Sequence, residues 1–175
     1  MKIGIDYDNT IVNTKEVSKK YLDIFLPNNN LENYHELPLD QELEFFKKYH
    51  LDITASSSVF EGFKELFNEL KDKGITLALV TARGSDNPEL IEPTKKFLED
   101  NGIFFDEYIF SAGLKGQICK ENNIDLLIDD SLSVIKNASS YTKVLLYGEK
   151  SEDYPYAMDW QEVKQYLYRE VLWKE

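Results

Sequence analysis

Cysteine, long apolar runs and targeting signals are scarce or missing in this sequence of 175 residues. Cys119 is the single cysteine, so no disulfide can form within the chain, and its place in a helical pattern predicts ordinary packing. No apolar run approaches the roughly 20 residues of a membrane-spanning helix. The first residues enter a strand pattern without the basic and apolar regions of a secretory signal. We therefore expect a cytoplasmic protein without a membrane partner.

The net charge of -12 argues against polyanionic partners. The acidic residues lie in both halves of the chain without forming a block, which is typical of a solvated surface. Long nucleic acid is not an expected partner of such a surface. A small anionic substrate is compatible with it, because charges beyond about 8 Å are largely screened by salt, but that substrate would need a cation in its binding site.

Length and composition favour one α/β domain with an insertion. Five apolar segments read as strands, at residues 1–5, 75–81, 108–110, 125–129 and 143–147. Helical patterns alternate with them, at residues 14–26, 39–49, 60–70, 91–98, 115–122, 131–135 and 159–167. This alternation predicts a doubly wound, Rossmann-like, parallel five-stranded sheet. We expect residues 1–13 and 58–175 to form the core domain and residues 14–57 a small helical insertion.

Three helix starts are predicted from capping residues. Ser58 precedes Glu61 by three positions, as in a capping box, and Asp159 precedes Glu162 in the same way. Ser131 is placed to cap the helix that follows the fourth strand.

The acidic cluster D-Y-D-N-T follows the first strand at residues 6–10. Side chains alternate along an extended chain, so Asp6 and Asp8 can lie on the same side of the strand end. Two neighbouring carboxylates repel each other, and Mg²⁺, which prefers oxygen ligands, would relieve the repulsion. The same residues are also common in turns, and Thr10 or Asn13 could cap a helix. This motif alone leaves both interpretations open.

Polar residues follow three further predicted strands, with Thr81 and Arg83 after the second, Lys115 after the third, and Asp129 and Asp130 at the fourth. Ligands of parallel sheets bind beyond the carboxyl ends of the strands. The set contains metal-binding carboxylates, a nucleophile, a hydroxyl and a cation, which are the groups that phosphoryl transfer needs. The sequence has no G-x-x-x-x-G-K-[ST] motif, so a P-loop enzyme is not predicted.

Each of these residues also has a structural interpretation. Thr81 is β-branched and suits a strand, and Arg83 could be solvated or could bind the phosphate or sugar end of a substrate. Lys120 competes with Lys115, although it would face elsewhere on the same helix. The pair of aspartates at the fourth strand could form a turn, but burying two acids is costly unless a cation or a capping role compensates them.

The order D-Y-D-N-T, V-T-A-R, Lys115 and I-D-D-S resembles the haloacid dehalogenase (HAD) superfamily of phosphatases, over the whole chain outside the insertion. The tracts 102–110 and 115–131 are most similar to bacterial relatives of the 5'(3')-deoxyribonucleotidases. The resemblance implies a Mg²⁺-dependent phosphomonoester hydrolase with an aspartyl-phosphate intermediate, acting on a small phosphorylated metabolite and most simply a nucleoside monophosphate. Another ester, such as a sugar phosphate or phosphoglycolate, is the alternative.

A receiver domain of a signalling protein also uses an acidic pair, a phosphorylated aspartate, a threonine and a lysine. Receivers place the acceptor aspartate on a middle strand and the lysine after the threonine on the last strand, without a helical insertion. The order in this chain therefore favours the phosphatase.

The resemblance implies catalytic roles for four residues. Asp6 would be the nucleophile, and Asp8 would protonate the leaving alcohol and then activate the hydrolytic water. Thr81 would hydrogen-bond a phosphoryl oxygen, and Lys115 would neutralise Asp6 and the phosphate.

The resemblance also implies a metal site and a substrate site. Asp130 would bind Mg²⁺ directly together with the Asp6 carboxylate and the backbone carbonyl of Asp8, and Asp129 would act through a water molecule or by contacting the direct ligands. The substrate would contact Thr81, Ala82, Arg83 and Lys115.

In the resembling family, an insertion after the first motif covers the active site as a cap. Residues 14–57 would take that part here. Most of their aromatic side chains must fill the insertion's own core, so we expect only one or two to reach a ligand. The candidates are Tyr21, Phe25, Tyr34, Phe45, Phe46 and Tyr49.

Overall fold

Six parallel strands form the central sheet of the computed structural model, which describes residues 1–172. Their order across the sheet is β3-β2-β1-β4-β5-β6. The strands are β1 (Lys2–Ile5), β2 (Thr76–Val80), β3 (Glu107–Ile109), β4 (Leu126–Asp129), β5 (Lys143–Tyr147) and β6 (Tyr156–Ala157). The predicted parallel, Rossmann-like α/β fold is confirmed.

The predicted number of five strands is wrong, because β6 adds a sixth at one edge. This strand has only two residues and pairs with the end of β5, where the Leu146 N–H donates to the carbonyl of Pro155. Two residues are too few to show a period of alternation, so the sequence carried no strand signal there.

Seven α-helices accompany the strands within the described residues: α1 (Thr14–Phe25), α2 (Leu39–Ser56), α3 (Phe63–Asp72), α4 (Ile91–Asp100), α5 (Lys115–Glu121), α6 (Leu132–Ala138) and α7 (Trp160–Tyr166). Short 3-10 helices span Tyr34–Glu36 and Pro88–Leu90, and a π-helical turn, Leu167–Leu172, continues α7. None of the helices within residues 1–172 combines the length and the apolar character that crossing a membrane requires.

Helices cover both faces of the sheet because the strand side chains are apolar on both sides. One face packs Ile3 and Ile5 of β1 against Phe63 of α3 and Trp160 of α7. The other face carries a second apolar cluster, which includes Cys119 of α5. Cys119 is fully buried, and burial raises the pKa of its thiol to about 11, as fits a packing residue.

Two of the three predicted helix caps differ in the structure. Helix α3 begins at Phe63 after Gly62, whose φ of 81° is left-handed, and not near Ser58. The Ser58 N–H instead donates to Asn13 Oδ1 at 2.7 Å, which ties the segment before α3 to the loop after β1. Ser131 precedes α6 but makes no side-chain cap bond, since its Oγ pairs with Ser133 Oγ at 2.9 Å.

The third cap is confirmed. Asp159 Oδ1 accepts a hydrogen bond of 2.8 Å from the Glu162 N–H at the start of α7.

Residues 14–57, which we call the helical segment, contain α1, α2 and one 3-10 helix, and they have an apolar cluster of their own. Phe45 and Tyr49 of α2 lie in this cluster with Val17 and Leu22 of α1. The segment also packs on the rest of the chain through contacts between α2 and α4. Its action as a cap stays a prediction.

Helix α5 packs tightly at Gly116 against Asn137 of α6 and Tyr141, which follows α6. A Cβ atom on Gly116 would lie 2.6 Å from Asn137 Oδ1 and 2.7 Å from Tyr141 Cδ2. Any side chain at this position would therefore push α5 away from α6, and α5 begins with Lys115.

We expect Gly116→Ala to lower the free energy of unfolding by about 1–2 kcal/mol net, because overpacking costs about 1–3 kcal/mol and the roughly 0.5–1 kcal/mol that alanine gains in a helix offsets only part of it. Urea unfolding of both proteins measures the difference. Gly113→Ala is the matched control, because a Cβ there meets nothing within 4 Å, and it should change stability by less than about 0.5 kcal/mol. Equal stability of the two variants would contradict the close contact at Gly116.

Candidate active site

The carboxyl ends of three neighbouring strands carry most of the predicted site. Asp6 follows β1, Thr81 follows β2, and Asp129 ends β4. Because β1 lies between β2 and β4, Asp6 stands in the middle of this group. Lys115 enters from the first turn of α5. The structure thus brings these predicted residues to one edge of the sheet.

A tight turn keeps Asp6 and Asp8 at this edge. The carbonyl of Tyr7 accepts hydrogen bonds from the N–H groups of Ile11 at 3.0 Å and Val12 at 3.3 Å. Asn9 has a φ of 56°, a left-handed conformation that asparagine tolerates better than most residues. The chain therefore reverses directly after Asp8 and does not run on past the sheet.

Lys115 lies between two buried carboxylates. Its Nζ is 2.5 Å from Asp6 Oδ1 and 2.7 Å from Asp129 Oδ2. Burial favours the neutral form of Lys115, but the two carboxylates outweigh it and raise the pKa of the ammonium. Burial also raises the pKa of Asp6 well above its usual range; Lys115 opposes the rise, and Asp129 adds to it. Lys120 is exposed, which leaves Lys115 as the lysine of this site.

Asp6, Asp129 and Asp130 form a group that could hold a metal ion, since ligand oxygens of all three lie within 4.8 Å of one another. Both oxygens of Asp129 have partners, because Oδ1 accepts from the Ser131 N–H at 2.9 Å and Oδ2 accepts from Lys115. The Asp130 carboxylate accepts no side-chain hydrogen bond from residues 1–172. Burial, followed by the charge of Asp129, raises the pKa of Asp130 to about 7.

These residues fit a divalent cation by charge and by ligand type. One lysine faces three carboxylates, so two negative charges are uncompensated in a largely buried site. A hard cation such as Mg²⁺ prefers carboxylate and carbonyl oxygens and would balance this charge. The Asp8 carboxylate lies outside this acidic group, and the resemblance implies a metal ligand only in the backbone carbonyl of Asp8. Which of Asp129 and Asp130 binds the metal directly stays a prediction.

Asp8 is bound to Arg83 instead. Arg83 Nε donates to Asp8 Oδ2 at 2.9 Å, and Arg83 Nη2 donates to Asp8 Oδ1 at 2.7 Å. Thr14 Oγ1 adds a hydrogen bond of 2.6 Å to Oδ1. Burial disfavours the ionised form of Asp8, but the charge and hydrogen bonds of Arg83 and the bond from Thr14 hold its pKa below the usual value.

The other guanidinium contacts of Arg83 are also internal. Arg83 Nη1 donates to Thr54 Oγ1 at 2.9 Å and to Thr94 Oγ1 at 3.0 Å, and the guanidinium lies 4.4 Å from the ring centroid of Tyr7. The sequence suggested Arg83 as a residue that contacts substrate, whereas these contacts direct most of its donors into the protein.

Sequence reasoning did not identify the threonines that bind Asp8 and Arg83. The signal available for Thr94 was a hydroxyl inside the apolar stripe of α4. Thr14 and Thr54 carried no comparable signal. Thr81 is buried as expected, and its Oγ1 accepts from the Arg83 N–H at 3.2 Å, so its own hydroxyl hydrogen remains available to another acceptor.

A cavity of about 580 Å³ lies between the helical segment and the ends of β1 and β2. Asp8, Ala82 and Arg83 line this cavity, which we call the aromatic cavity. Two ring pairs also line it: Tyr34 stacks on Phe45 with ring centroids 5.0 Å apart, and Phe46 stacks on His50 with ring centroids 4.8 Å apart. Of the six aromatic residues proposed from the sequence, Tyr21, Phe25 and Tyr49 do not line it.

A second cavity, of about 720 Å³, borders Asp130 and includes Asn9, Lys15 and Tyr147. Asp130 of the acidic group therefore borders this second cavity, whereas Asp8 borders the aromatic cavity.

The sheet, the helices and the helical segment together match known structures. The chain has the fold of HAD-superfamily hydrolases. A candidate phosphatase from Clostridium difficile matches with a TM-score of 0.71 and 15% identity, over 95% of this chain and 97% of that one. The candidate HAD hydrolase YfnB from Bacillus subtilis, bound to magnesium, matches with a TM-score of 0.70 and 16% identity, over the same shares of the two chains.

A variant of CbbY from Rhodobacter sphaeroides, in complex with xylulose-1,5-bisphosphate, matches with a TM-score of 0.64 and 15% identity, over 92% of this chain and 95% of that one. No protein-family model matches the chain, and no curated protein sequence does. At these identities the likeness concerns the fold, and the chemistry has to be argued from the site.

The uncompensated charge predicts opposite effects of Asp130→Asn with and without metal. Without metal, the variant should be more stable than the original protein by on the order of 1 kcal/mol, because a repelling carboxylate is removed. Saturating Mg²⁺ should raise the melting temperature of the original protein by about 5 °C or more, and that of the variant by much less. Thermal unfolding with EDTA or Mg²⁺ measures both.

Asp52→Asn serves as the control for this experiment, because Asp52 is an exposed acid on α2. It should change neither the stability without metal nor the response to Mg²⁺. An Asp130→Asn protein that Mg²⁺ stabilises as strongly as the original would show that Asp130 is not a ligand.

Proposed function

We propose that this protein is a Mg²⁺-dependent phosphomonoester hydrolase that forms an aspartyl-phosphate on Asp6. The observation that carries the proposal is the contrast between the two acids of the D-Y-D motif. Asp6 is buried beside Lys115 in the acidic group, whereas Asp8 is held by Arg83 at the wall of the aromatic cavity. This contrast supports two separate roles, in which Asp6 attacks the phosphorus atom and Asp8 exchanges protons with the leaving alcohol and with the attacking water.

The first half-reaction transfers the phosphoryl group to the protein. A carboxylate oxygen of Asp6 attacks the phosphorus, the bond from phosphorus to the ester oxygen breaks, and Asp8 gives a proton to that oxygen, so that an alcohol leaves. Lys115 compensates negative charge beside Asp6, and the hydroxyl of Thr81 donates to a phosphoryl oxygen. A Mg²⁺ ion held by Asp6, Asp130 and the Asp8 carbonyl would neutralise charge on the phosphoryl oxygens.

The second half-reaction restores the protein. Asp8 takes a proton from a water molecule, the water oxygen attacks the phosphorus, and the bond from phosphorus to Asp6 breaks to release phosphate. Asp8 is then protonated again and ready for the next ester. Arg83 lowers the pKa of Asp8, which makes its protonated form a stronger acid; the negative charge of a bound phosphate acts in the opposite direction and favours that protonated form.

The aromatic cavity supports a nucleoside monophosphate as the substrate. It presents the rings of Tyr34 and Phe46 beside Asp8, where a leaving nucleoside would lie. His50 is buried there; its Nδ1 lies 2.6 Å from the carbonyl of Phe46, and its Nε2 makes no hydrogen bond within the described residues but lies 3.6 Å from Glu89 Oε1. Flat aromatic rings with an imidazole among them suit a nucleobase. A sugar phosphate is the second candidate, since a structure of the same fold holds a sugar bisphosphate.

We expect Asp6→Asn to lower kcat by at least about 10³-fold, because it removes the attacking carboxylate. The assay is release of p-nitrophenol from p-nitrophenyl phosphate with Mg²⁺, and acid quenching should trap a phosphorylated form of the original protein only.

Asp52→Asn is the matched control for this variant and should keep full activity. Undiminished turnover by Asp6→Asn would refute the nucleophile assignment. A phosphorylated protein that accumulates without turnover would instead revive the receiver interpretation.

Phe46→Leu tests the substrate class. We expect it to raise KM for deoxynucleoside monophosphates by about 5- to 100-fold, because that is the contribution to binding of one base stacked on an aromatic ring. KM for a sugar phosphate should stay within about 2-fold of the original value. Phe104→Leu is the matched control, because Phe104 is exposed and lies outside the cavity. Equal KM changes for nucleotides and sugar phosphates would count against the nucleotidase, as would an original protein that is indifferent to the base.

A further inference from the structure

The two carboxylate oxygens of Asp8 differ in their hydrogen bonds. Asp8 Oδ1 accepts two, from Arg83 Nη2 at 2.7 Å and Thr14 Oγ1 at 2.6 Å. Among the described residues, Asp8 Oδ2 accepts one, from Arg83 Nε at 2.9 Å. A carboxylate oxygen has two lone pairs, so Oδ1 is saturated and Oδ2 keeps one lone pair for a proton. The Asp8 side chain is one-third exposed and lines the aromatic cavity, so a ligand in that cavity can reach the Asp8 carboxylate.

Arg83 can fix this arrangement because it is itself immobilised. Its side chain is buried, its Nη1 bonds Thr54 and Thr94, and its guanidinium lies over the ring of Tyr7. Guanidinium is a rigid, planar fork that matches a carboxylate with two parallel hydrogen bonds. The plane of the Asp8 carboxylate therefore follows the plane of Arg83.

Few donors of Arg83 are left for a substrate. A guanidinium has five N–H bonds, and four hydrogen bonds to Asp8, Thr54 and Thr94 engage all but one of them. A two-pronged grip on a phosphate group is thus excluded as long as these bonds persist.

We propose that Arg83 is a positioning residue, which holds Asp8 so that Oδ2 is the oxygen that exchanges a proton with the leaving group and with the attacking water. The proposal rests on the proposed function, because it takes Asp8 as the acid and base. In the first half-reaction the bond between Oδ2 and its proton breaks, and the ester oxygen takes that proton as its own bond to phosphorus breaks. In the second, Oδ2 takes a proton from the water whose oxygen attacks phosphorus, as the bond from phosphorus to Asp6 breaks.

The helical segment takes part in this positioning. Thr14 begins α1 and Thr54 lies near the end of α2, so each of its two α-helices supplies a hydroxyl to the Asp8 and Arg83 pair. Thr94 of α4 holds the same Arg83 nitrogen from outside the segment.

Arg83→Lys tests the proposal, because lysine keeps the charge and loses the fork. The measurement is kcat/KM for two esters with different leaving groups, p-nitrophenyl phosphate and an alkyl ester such as glycerol phosphate. A p-nitrophenolate leaves without a proton, whereas an alkoxide needs one. We expect kcat/KM to fall by about 100-fold or more for the alkyl ester and by less than about 5-fold for the aryl ester, in line with the usual contribution of a general acid.

Two further variants keep the test decisive if Arg83→Lys folds poorly. Thr54→Val removes one of the hydrogen bonds that hold Arg83, with little change in side-chain size. It should lower kcat/KM for the alkyl ester by about 3- to 10-fold relative to the aryl ester, which corresponds to the loss of a single hydrogen bond. In an Asp8→Asn background, Arg83→Lys should cause no further selective loss of activity on the alkyl ester, because a positioning residue acts through its partner.

The other arginine, the exposed Arg169, gives the control variant Arg169→Lys, which should behave as the original protein.

The outcomes separate this proposal from the proposed function. An inactive original protein, or an active Asp6→Asn variant, overturns the hydrolase itself. If the original protein is active and Asp6→Asn is not, equal losses of Arg83→Lys on both esters overturn the positioning role, since lost phosphate binding or lost structure affects both alike. Unchanged activity of Arg83→Lys on the alkyl ester overturns it as well.

Discussion

The ammonium group of Lys115 between the carboxylates of Asp6 and Asp129 is the interaction on which the site depends. Two buried carboxylates at neighbouring strand ends would repel strongly, and one buried cation between them makes the arrangement possible. Lys115 does not complete the compensation, because Asp130 adds a third carboxylate to the same group. The residual negative charge would give this strand edge an affinity for a divalent cation.

The two acids of the D-Y-D motif have opposite electrostatic surroundings although only Tyr7 separates them. Burial raises the pKa of Asp6, whereas at Asp8 the effect of burial is outweighed by the charge and hydrogen bonds of Arg83 together with the bond from Thr14, so the pKa of Asp8 is lowered. Alternation along the chain makes the two side chains neighbours, but different elements supply their partners: α5 serves Asp6, and the loop after β2 serves Asp8. Separate partners would allow two identical side chains to have the separate roles proposed for them.

The parts of this fold that sequence reasoning predicted are those encoded by local patterns. Apolar runs gave the five longer strands, and the position of Lys115 after the third strand followed from their order. The failures involve contacts between distant segments. Ser58 looks like a helix cap, but its N–H is used by Asn13, 45 positions away. Arg83 looks like a solvated or substrate-binding residue, but its partner Asp8 lies 75 positions away. Tertiary pairings of this kind leave no periodic trace in the sequence.

The helical segment meets the site through hydroxyls and aromatic rings, and the two kinds of contact differ in strength. A net contribution of about 1 kcal/mol for a hydrogen bond such as that from Arg83 to Thr54 is small, whereas the charged pair of Arg83 and Asp8 is two-pronged and largely buried. A displacement of α2 would therefore break the Thr54 contact well before it separated Arg83 from Asp8. The acid would stay bound to its arginine while the cavity changed shape, so access of a ligand and orientation of Asp8 are linked through Thr54 without being the same event.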